Sequence, residues 1–468
     1  MIAKPIMGNG ETVLTNTPTA MAAMVNQVMT SNENLRSLNL LANDSDPSTL
    51  RAIGQVLDTM PRMRNAFQAG IWNMVSMIII NNMYWTKDDW VNKTLKGQLE
   101  VGDSIEDIWV EVATPHDYDA NGASKLTTWE KAEILSKFHI LNYQKYYQRT
   151  IGRKDFRQAF LSFSGVYTLV QKIIDSMYNA ARWDYFLICK YLIARKICDG
   201  AFQVATVEAP EDEASVKADA KVIQKMSNDM TYPDGFMNEA GVINATAKED
   251  QLFIPTNEFE AAMNVEVLAS AFNMDKIGYN GIHLPINGFS FTPTEENRIQ
   301  ELMGDSEGYR PINATEKGEL LNCYAVHMDK DWFFNYNYLF EFYEFEDPSV
   351  LKENFFLHDW KLISYSPYRN AVVYTSMTPT VTEVQITPDG ATVQKGSMLQ
   401  LTATVTATGF AKKTVAWSVS GGTDDTTSID ANGLLYVGAN ETANLTVKAV
   451  STVDAGKSDS VTITVPQA

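Results

Sequence analysis

Residues 164–199 read SGVYTLVQKIIDSMYNAARWDYFLICKYLIARKICD, without a proline, and apolar or aromatic side chains recur there in steps of three and four. This spacing keeps one apolar stripe on one face of an α-helix. The stripe consists of Val166, Val170, Ile173, Met177, Ala181, Tyr185, Ile188 and Leu192. Basic side chains fall in the last turn, where the helix dipole favours cations, and Gly200 supplies a stop. The pattern predicts a helix of roughly 50 Å, which periodicity alone would allow in a bundle, a coiled coil or another elongated domain.

The composition around this helix is that of a large folded protein with an acidic surface. The chain has 468 residues, 45% of them hydrophobic, and a net charge of -19. Such acidity argues against a broad basic surface for nucleic acid or anionic lipid. Three cysteines make a disulfide framework improbable and favour a reducing compartment. With no signal-peptide pattern and no apolar run long enough to span a bilayer, we expect a soluble protein of the cytoplasm, without membrane contact.

Two regions precede the long helix. Residues 1–84 carry helical patterns at 20–29 and 50–80, separated by a polar stretch, and we interpret them as a helical arm. In residues 85–148 the pattern changes to strands, because Ile108 and Val110 alternate with other residue types. Asn121 and Gly122 offer turn chemistry between the two strand patterns. We expect a long loop there that contains two paired strands.

A basic cluster lies directly before the long helix, which is unusual in so acidic a chain. Its members are Lys145, Arg149, Arg153, Lys154 and Arg157. One interpretation is a solvated start of the helix. The other is a charged patch that contacts an acidic surface on a neighbouring copy of the chain, and these five residues are our candidate inter-subunit contact.

The middle of the chain, 201–346, mixes an acidic link near 207–221, helical segments and loops rich in glycine, proline and asparagine, which predicts an α+β region. Aromatic side chains occupy every second position from Phe334 to Phe342, so one face of a strand carries them. That face could be a sugar-binding platform, or a core or inter-subunit strand. Further strands are expected in 347–378.

After Pro379 the composition changes to threonine, valine, serine and alanine. About seven short alternating strands with turns between them predict an all-β sandwich of the immunoglobulin type in 379–468. No cysteine falls in this span, so the disulfide of antibody domains is absent, and Trp417 alone matches their buried core tryptophan.

A search for catalytic and metal-binding motifs finds none. The five histidines are scattered, and HExxH, Cys-x-x-Cys, the Walker loop, GxGxxG and GxSxG are all missing. Pairs of carboxylates occur, but chance produces them in an acidic chain. We therefore predict no catalytic residues, no metal and no cofactor, and a protein that is not an enzyme.

The order of these features resembles the major capsid proteins of short-tailed, phi29-type bacteriophages. The stretches that carry the resemblance are LKGQLEVGDSIEDIW (95–109), IIDSMYNAARWDY (173–185), VEVLASAFNM (265–274), MDKDWFFNY (328–336) and SYSPYRNAVVY (364–374). The C-terminal stretch QITPDGATVQKGSMLQLTATV (385–405), with Trp417 and Gly433 at marker positions, is similar to the bacterial Ig-like group 2 module.

The resemblance implies the Hong Kong 97-type capsid fold. Its parts would be the N-terminal arm in 1–84, the extended loop and peripheral strands in 85–148, the spine helix in 149–200, the axial domain in 201–346, the returning peripheral strands in 347–378 and the outward Ig-like domain in 379–468. On this interpretation the stripe of the long helix packs on the peripheral sheet and not on partner helices.

The resemblance also implies partners and a location. The chain would assemble with itself into pentamers and hexamers of an icosahedral virion shell, with a scaffolding protein and a portal, around double-stranded DNA that it does not bind specifically. The Ig-like domain could contact a host surface. An alternative from the residues is a bacterial surface adhesin or carbohydrate-binding protein with an Ig-like module; an enzyme with such a module is the weakest alternative.

Overall fold

The computed structural model describes residues 88–116, 132–152, 166–263, 281–304, 306, 308–347 and 352–466, with a few positions between 26 and 56. Up to residue 375 the described elements are helices and strands, and after it they are strands. The sequence prediction of an α+β body followed by an all-β region is confirmed.

The helices are α1 (Glu33–Arg36), α2 (Asp88–Thr94), α3 (Val166–Cys198), α4 (Glu213–Asp229), α5 (Asn257–Ala262), α6 (Pro293–Met303) and α7 (Ala314–Leu320). Helix α1 lies in the polar stretch that was expected to separate two arm helices. The predicted arm helices at 20–29 and 50–80 lie almost entirely outside the described residues.

Strands β1 to β11 belong to the body. They are β1 (Leu95–Gln98), β2 (Ile105–Val110), β3 (Ile134–His139), β4 (Tyr143–Gly152), β5 (Gln203–Thr206), β6 (Gln251–Pro255), β7 (Ile282–His283), β8 (Cys323–Asp329), β9 (Asn335–Asp347), β10 (Lys352–Leu362) and β11 (Ala371–Thr375). They form a four-stranded sheet in the order β1-β9-β10-β4, a five-stranded sheet in the order β5-β11-β8-β6-β7 and a two-stranded ribbon, β2-β3.

Contacts between residues divide the chain into two compact units. The first comprises Met1–Trp85, Tyr146–Ala180 and Glu341–His358. The second comprises Thr86–Lys145, Ala181–Phe340 and Asp359–Ala468. The second unit therefore contains the ribbon, the five-stranded sheet and the whole C-terminal all-β region.

Helix α3 confirms the long helix predicted from residues 164–199, with 33 residues and no break. Its stripe residue Tyr185 is buried and accepts a hydrogen bond from the side-chain amide of Asn335 on β9, at 3.0 Å. However, every residue from Asp184 to Cys198 except Leu192 and Lys196 is buried. A helix buried on most of its circumference needs neighbours on more than one side.

One of those further neighbours is helix α6, which α3 contacts through charged side chains that do not belong to the apolar stripe. Lys190, fully buried, donates hydrogen bonds to both carboxylate oxygens of Glu295 on α6, each at 3.2 Å. Arg298, also on α6, holds the carboxylate of Asp184 with two nitrogens, at 2.8 and 2.6 Å. Tyr185 of the stripe thus contacts strand β9, and α3 also packs against α6, which the periodicity did not indicate.

The five-stranded sheet forms the core of the middle region. Every residue of β6 and β11 is buried, and Phe253 and Tyr374 from these strands pack with Phe259 of α5 and Ile223 of α4. Strand β11, the last strand of the expected returning region 347–378, pairs with β5 in parallel and with β8 in antiparallel orientation.

The acidic link expected near 207–221 is largely helix α4. Asp212 caps it by accepting a hydrogen bond from the backbone N–H of Ser215 at 2.8 Å, while the Ser215 hydroxyl accepts one from the Asp212 N–H at 3.1 Å. This is a reciprocal capping box. Val216 and Ile223 on the inner face are fully buried. Of the acidic residues, Glu213 is exposed, whereas Asp219 is buried and accepts a hydrogen bond from the Glu208 N–H at 2.9 Å, so this segment is a packed helix.

The C-terminal region is a small β-sandwich. Its strands are β12 (Thr380–Thr387), β13 (Met398–Gln400), β14 (Thr402–Thr408), β15 (Val415–Ser420), β16 (Ser428–Ile429), β17 (Leu434–Tyr436), β18 (Leu445–Ser451) and β19 (Ser458–Ile463). They pair as β12-β14, β13-β17-β16 and β15-β18-β19 around one apolar core that includes Leu401, Leu435 and Val447. The prediction of short alternating strands in an Ig-like arrangement is confirmed.

The two marker residues of this sandwich meet each other. Trp417 is partly buried, not fully buried as predicted, and packs at the edge of the core. Gly433 has a φ of 79°, and a Cβ there would lie 2.9 Å from the Trp417 ring. Glycine is required because a side chain would both strain the backbone and displace the indole.

Candidate functional site

The β2-β3 ribbon carries an exposed apolar face. Its strands pair in antiparallel register from Ile105 opposite His139 to Val110 opposite Ile134. Side chains alternate between the two faces of a strand, so this register decides which side chains share a face of the ribbon. We call the more exposed face the outer face. The large apolar residues on that outer face and its continuation are Ile108, Val110, Val112, Ile134, Phe138 and Ile140, exposed by 51%, 53%, 62%, 62%, 66% and 65% respectively. Contiguous exposure of this kind marks a protein interaction surface.

The inner face of the ribbon is attached to the body by hydrogen bonds from some of its side chains. The Ser366 hydroxyl donates a hydrogen bond to Asp107 at 2.5 Å, and the Trp109 indole donates to the Ile243 carbonyl at 3.1 Å. The ribbon is therefore held by its inner face, which leaves the apolar face outward.

Two basic residues of β3 complete this attachment. The Lys137 ammonium donates to the Tyr365 carbonyl at 3.0 Å and lies 3.8 Å from the centre of that tyrosine ring. His139 lies 2.8 Å from the Ser364 hydroxyl and stacks on Phe334 with ring centres 4.6 Å apart.

Burial changes the ionisation of both residues. It lowers the pKa of Lys137 to about 8, against the opposing effect of Glu239. Burial, with help from the Lys137 charge, lowers the pKa of His139 to about 4. His139 is thus neutral at neutral pH, which suits a ring stacked beside an ammonium group.

The basic cluster is only partly described. Lys145, half-buried, and Arg149, exposed, lie on strand β4, four residues apart and so on the same face of it. Neither is at the start of a helix, because β4 continues to Gly152. Arg153, Lys154 and Arg157 lie outside the described residues. The structure therefore brings two of the five together on a strand and leaves the inter-subunit role a prediction.

The alternating aromatic residues of 334–342 face mostly inward. Tyr338 is buried and donates its hydroxyl to the Asp103 carbonyl at 2.5 Å, while Phe342 stacks on Phe355 with ring centres 6.1 Å apart. Phe340 is the most open of the five. Four of the five are thus buried or partly buried, which favours a core strand over the sugar-platform alternative.

Sequence reasoning missed a second aromatic face on neighbouring strands. Tyr343 and Phe345 of β9 and Tyr146 of β4 are exposed, and Tyr146 lies 6.3 Å from Phe356 and 6.0 Å from His358, both on β10, between ring centres. Part of the signal was in the sequence, since β9 has aromatic residues at both odd and even positions, but the neighbouring strands that complete the face are set by the tertiary structure.

Among the described residues no group of three or more histidine, cysteine, aspartate or glutamate side chains is arranged to hold a metal ion. The thiols of Cys189 and Cys198 are buried, and burial raises the pKa of each to about 12, so neither is a reactive thiolate. Within the same described ranges, every helix is too short or too polar to cross a membrane.

Comparison with known proteins shows that this chain belongs to the class of phage shell proteins. The family model of Phi29-like phage major capsid proteins matches residues 17–375, and that of the bacterial Ig-like domain (group 2) matches residues 380–465. The chain belongs to the Phi29-like phage major capsid protein family and carries a C-terminal Ig-like domain. It is a structural protein of the virion that assembles with copies of itself, and the adhesin alternative is not favoured.

Individual relatives agree with the family match. The major capsid protein of Bacillus phage PZA is 31% identical over 413 residues, covering 87% of this chain and 84% of the relative. That of Bacillus phage B103 is 30% identical over 404 residues, covering 85% and 82%. Among solved structures, the capsid of Staphylococcus phage Andhra has a TM-score of 0.47 and 11% identity, covering 65% of this chain and 88% of that chain. The head of Helicobacter pylori bacteriophage KHP40 has a TM-score of 0.44 and 10% identity, covering 64% and 95%.

Proposed function

We propose that this capsid protein builds an icosahedral shell through contacts in which the apolar face of the β2-β3 ribbon packs on a neighbouring copy. The observation that carries the proposal is the exposure of six large apolar side chains on a ribbon whose other face is already bonded to the body. Covering them contributes on the order of 5 kcal/mol per contact before the entropy cost of association. Such a contact is heterologous, and heterologous contacts close into rings such as pentamers and hexamers.

The order of elements supports a Hong Kong 97-type arrangement for the body. The ribbon would be the base of the extended loop in 85–148, α3 the spine helix in 149–200, and the five-stranded sheet the centre of the axial domain in 201–346. The arm in 1–84 and the returning strands in 347–378 complete this assignment. The Ig-like domain in 379–468 would lie on the outside of the shell.

The net charge of -19 supports a wall to which packaged double-stranded DNA does not adhere, because firm binding requires neutralisation of phosphates by clustered basic residues. A scaffolding protein and a portal would be the further partners during assembly. The chain would have no enzymatic activity, and a host surface would be the partner of the Ig-like domain.

The proposal is tested by placing charge on the ribbon. We expect the double variant Ile108→Asp/Phe138→Asp to fold, with a melting temperature within a few degrees of the parent, because both side chains already face solvent. It should form no shells in electron micrographs, since association would bury the new carboxylates. Val453→Asp, a comparable change on the Ig-like domain at a residue that is also exposed, is the matched control and should form normal shells. Normal shells from the ribbon variant would refute the proposal.

A further inference from the structure

Residues 409–413 of the loop between β14 and β15 are mostly buried, which is unusual for a turn at the end of a sandwich. We call it the clamp loop. Phe410 and Ala411 are buried, and Gly409 and Phe410 both have left-handed backbones, with φ of 62° and 61°. A Cβ at Gly409 would overlap the Thr378 carbonyl. The left-handed backbone of Phe410, which is unfavourable for a residue other than glycine, directs the apolar side chains of this loop inward.

Two lysines of the clamp loop bind backbone carbonyls of the body. Lys412, only 6% exposed, donates hydrogen bonds to the carbonyl oxygens of Phe236 and Asn238, the latter at 2.8 Å. Lys413 donates to the Cys198 carbonyl at 3.1 Å. Cys198 ends helix α3, where carbonyls lack helical partners and the dipole favours a cation.

The body loop that receives Lys412 is itself firmly held. Asn238 is fully buried; its side-chain amide donates to the Val242 carbonyl at 2.6 Å and its side-chain oxygen accepts from the Val242 N–H at 2.9 Å. Next to it, the N–H of Ala371, the first residue of β11, donates to the Met237 carbonyl at 2.7 Å. Lys412 therefore binds a loop that is tied to the five-stranded sheet.

A close backbone approach reinforces these hydrogen bonds. Gly200, just after α3, has a φ of 74°, and a Cβ there would overlap the carbonyl oxygen of Ala411. Gly200 thus ends the helix and also makes room for the clamp loop.

From these contacts we infer that the clamp loop locks the Ig-like domain onto the end of helix α3, so that the domain has one orientation and moves with the body. An Ig-like domain on a free tether would need neither a buried lysine nor a backbone contact at the helix end. A force applied to the locked domain passes directly to α3. The inference concerns the isolated full-length chain and does not depend on the proposed shell contacts.

The test measures whether the domain tumbles independently. A dye attached to Ser418→Cys, on an exposed position of β15, reports the rotation of the Ig-like domain by time-resolved fluorescence anisotropy, and the three native cysteines are buried and do not compete. In the parent chain we expect only the slow decay of the whole molecule. Lys412→Met should add a fast component, because two carbonyls lose their donor. Lys448→Met, an exposed lysine of the same domain, should add none.

A second pair of variants covers the case in which Lys412→Met does not fold. Gly200→Ala and Gly396→Ala impose the same backbone strain, with φ of 74° and 73°, but nothing lies within 4 Å of a Cβ at Gly396, which is outside both the clamp loop and the loop that receives it. Only Gly200→Ala should release the domain. A fast component already present in the parent, or the lack of one in both Lys412→Met and Gly200→Ala, would overturn the inference.

Discussion

His139 is the residue whose burial has the clearest consequence for pH dependence. The pKa of His139 is about 4 while the ribbon is attached to the body, below the ordinary value of 6.5. As the pH falls, His139 therefore binds a proton more readily in a ribbon that has detached from the body, and protonation favours detachment. The attachment is fully present above pH 6.5 and is lost progressively towards pH 4. The loss is on the order of 2 kcal/mol after allowance for solvent screening.

Hydrogen exchange of the ribbon amides measures this loss. We expect exchange in β2 and β3, corrected for its intrinsic pH dependence, to rise as the pH falls from 6.5 to 4. His139→Asn should flatten that rise, because an amide can still hydrogen-bond to Ser364 but does not titrate. An unchanged pH dependence in His139→Asn would contradict this prediction.

At the scale of elements, helix α3 is stabilised by paired charges as well as by its stripe. Lys190→Met leaves Glu295 buried without its cation, and we expect a loss of about 3 kcal/mol in the free energy of unfolding. Adding Glu295→Gln should recover part of this loss, because the neutral amide oxygen can still accept from the Thr292 N–H that caps α6.

Chemical denaturation of the single and double variants measures this coupling. Lys225→Met removes an exposed pair with Asp229 on α4 and should cost less than 1 kcal/mol, which makes it the matched control. Equal losses in Lys190→Met and in the double variant would contradict the prediction, because neutralising Glu295 would then recover none of the lost stability.

At the scale of the whole molecule, the basic cluster predicts a charged contact between copies. Reversing Arg153, Lys154 and Arg157 to glutamate should abolish shell formation while the chain still folds, since like charges would then face each other across the contact. Electron microscopy measures shell formation and circular dichroism measures folding. Lys448→Glu, on the Ig-like domain, should leave shells intact, and normal shells from the triple variant would contradict the prediction.

Prediction from sequence succeeded where a local repeat sets the structure. The three-and-four spacing of residues 164–199 gave helix α3, and the alternation after Pro379 gave the strands of the sandwich. Prediction was less successful where it relied on composition and not on the order of residues. The acidic link was interpreted from its charge, although Asp212 and Ser215 already provided a capping box. Prediction also missed Tyr146 and Phe345, because the exposed face they share is assembled from separate strands.

The sequence by itself determined the long helix, the α+β body, the Ig-like domain and the resemblance to phage capsid proteins. These follow from periodicity and from residues close together in the chain, where backbone hydrogen bonding and burial act locally. Only the tertiary structure decided that α3 is buried against α6, that the ribbon turns its apolar face outward, and that Lys412 reaches the carbonyls of Phe236 and Asn238. Each of these depends on groups far apart in sequence, so no local pattern records which of them meet.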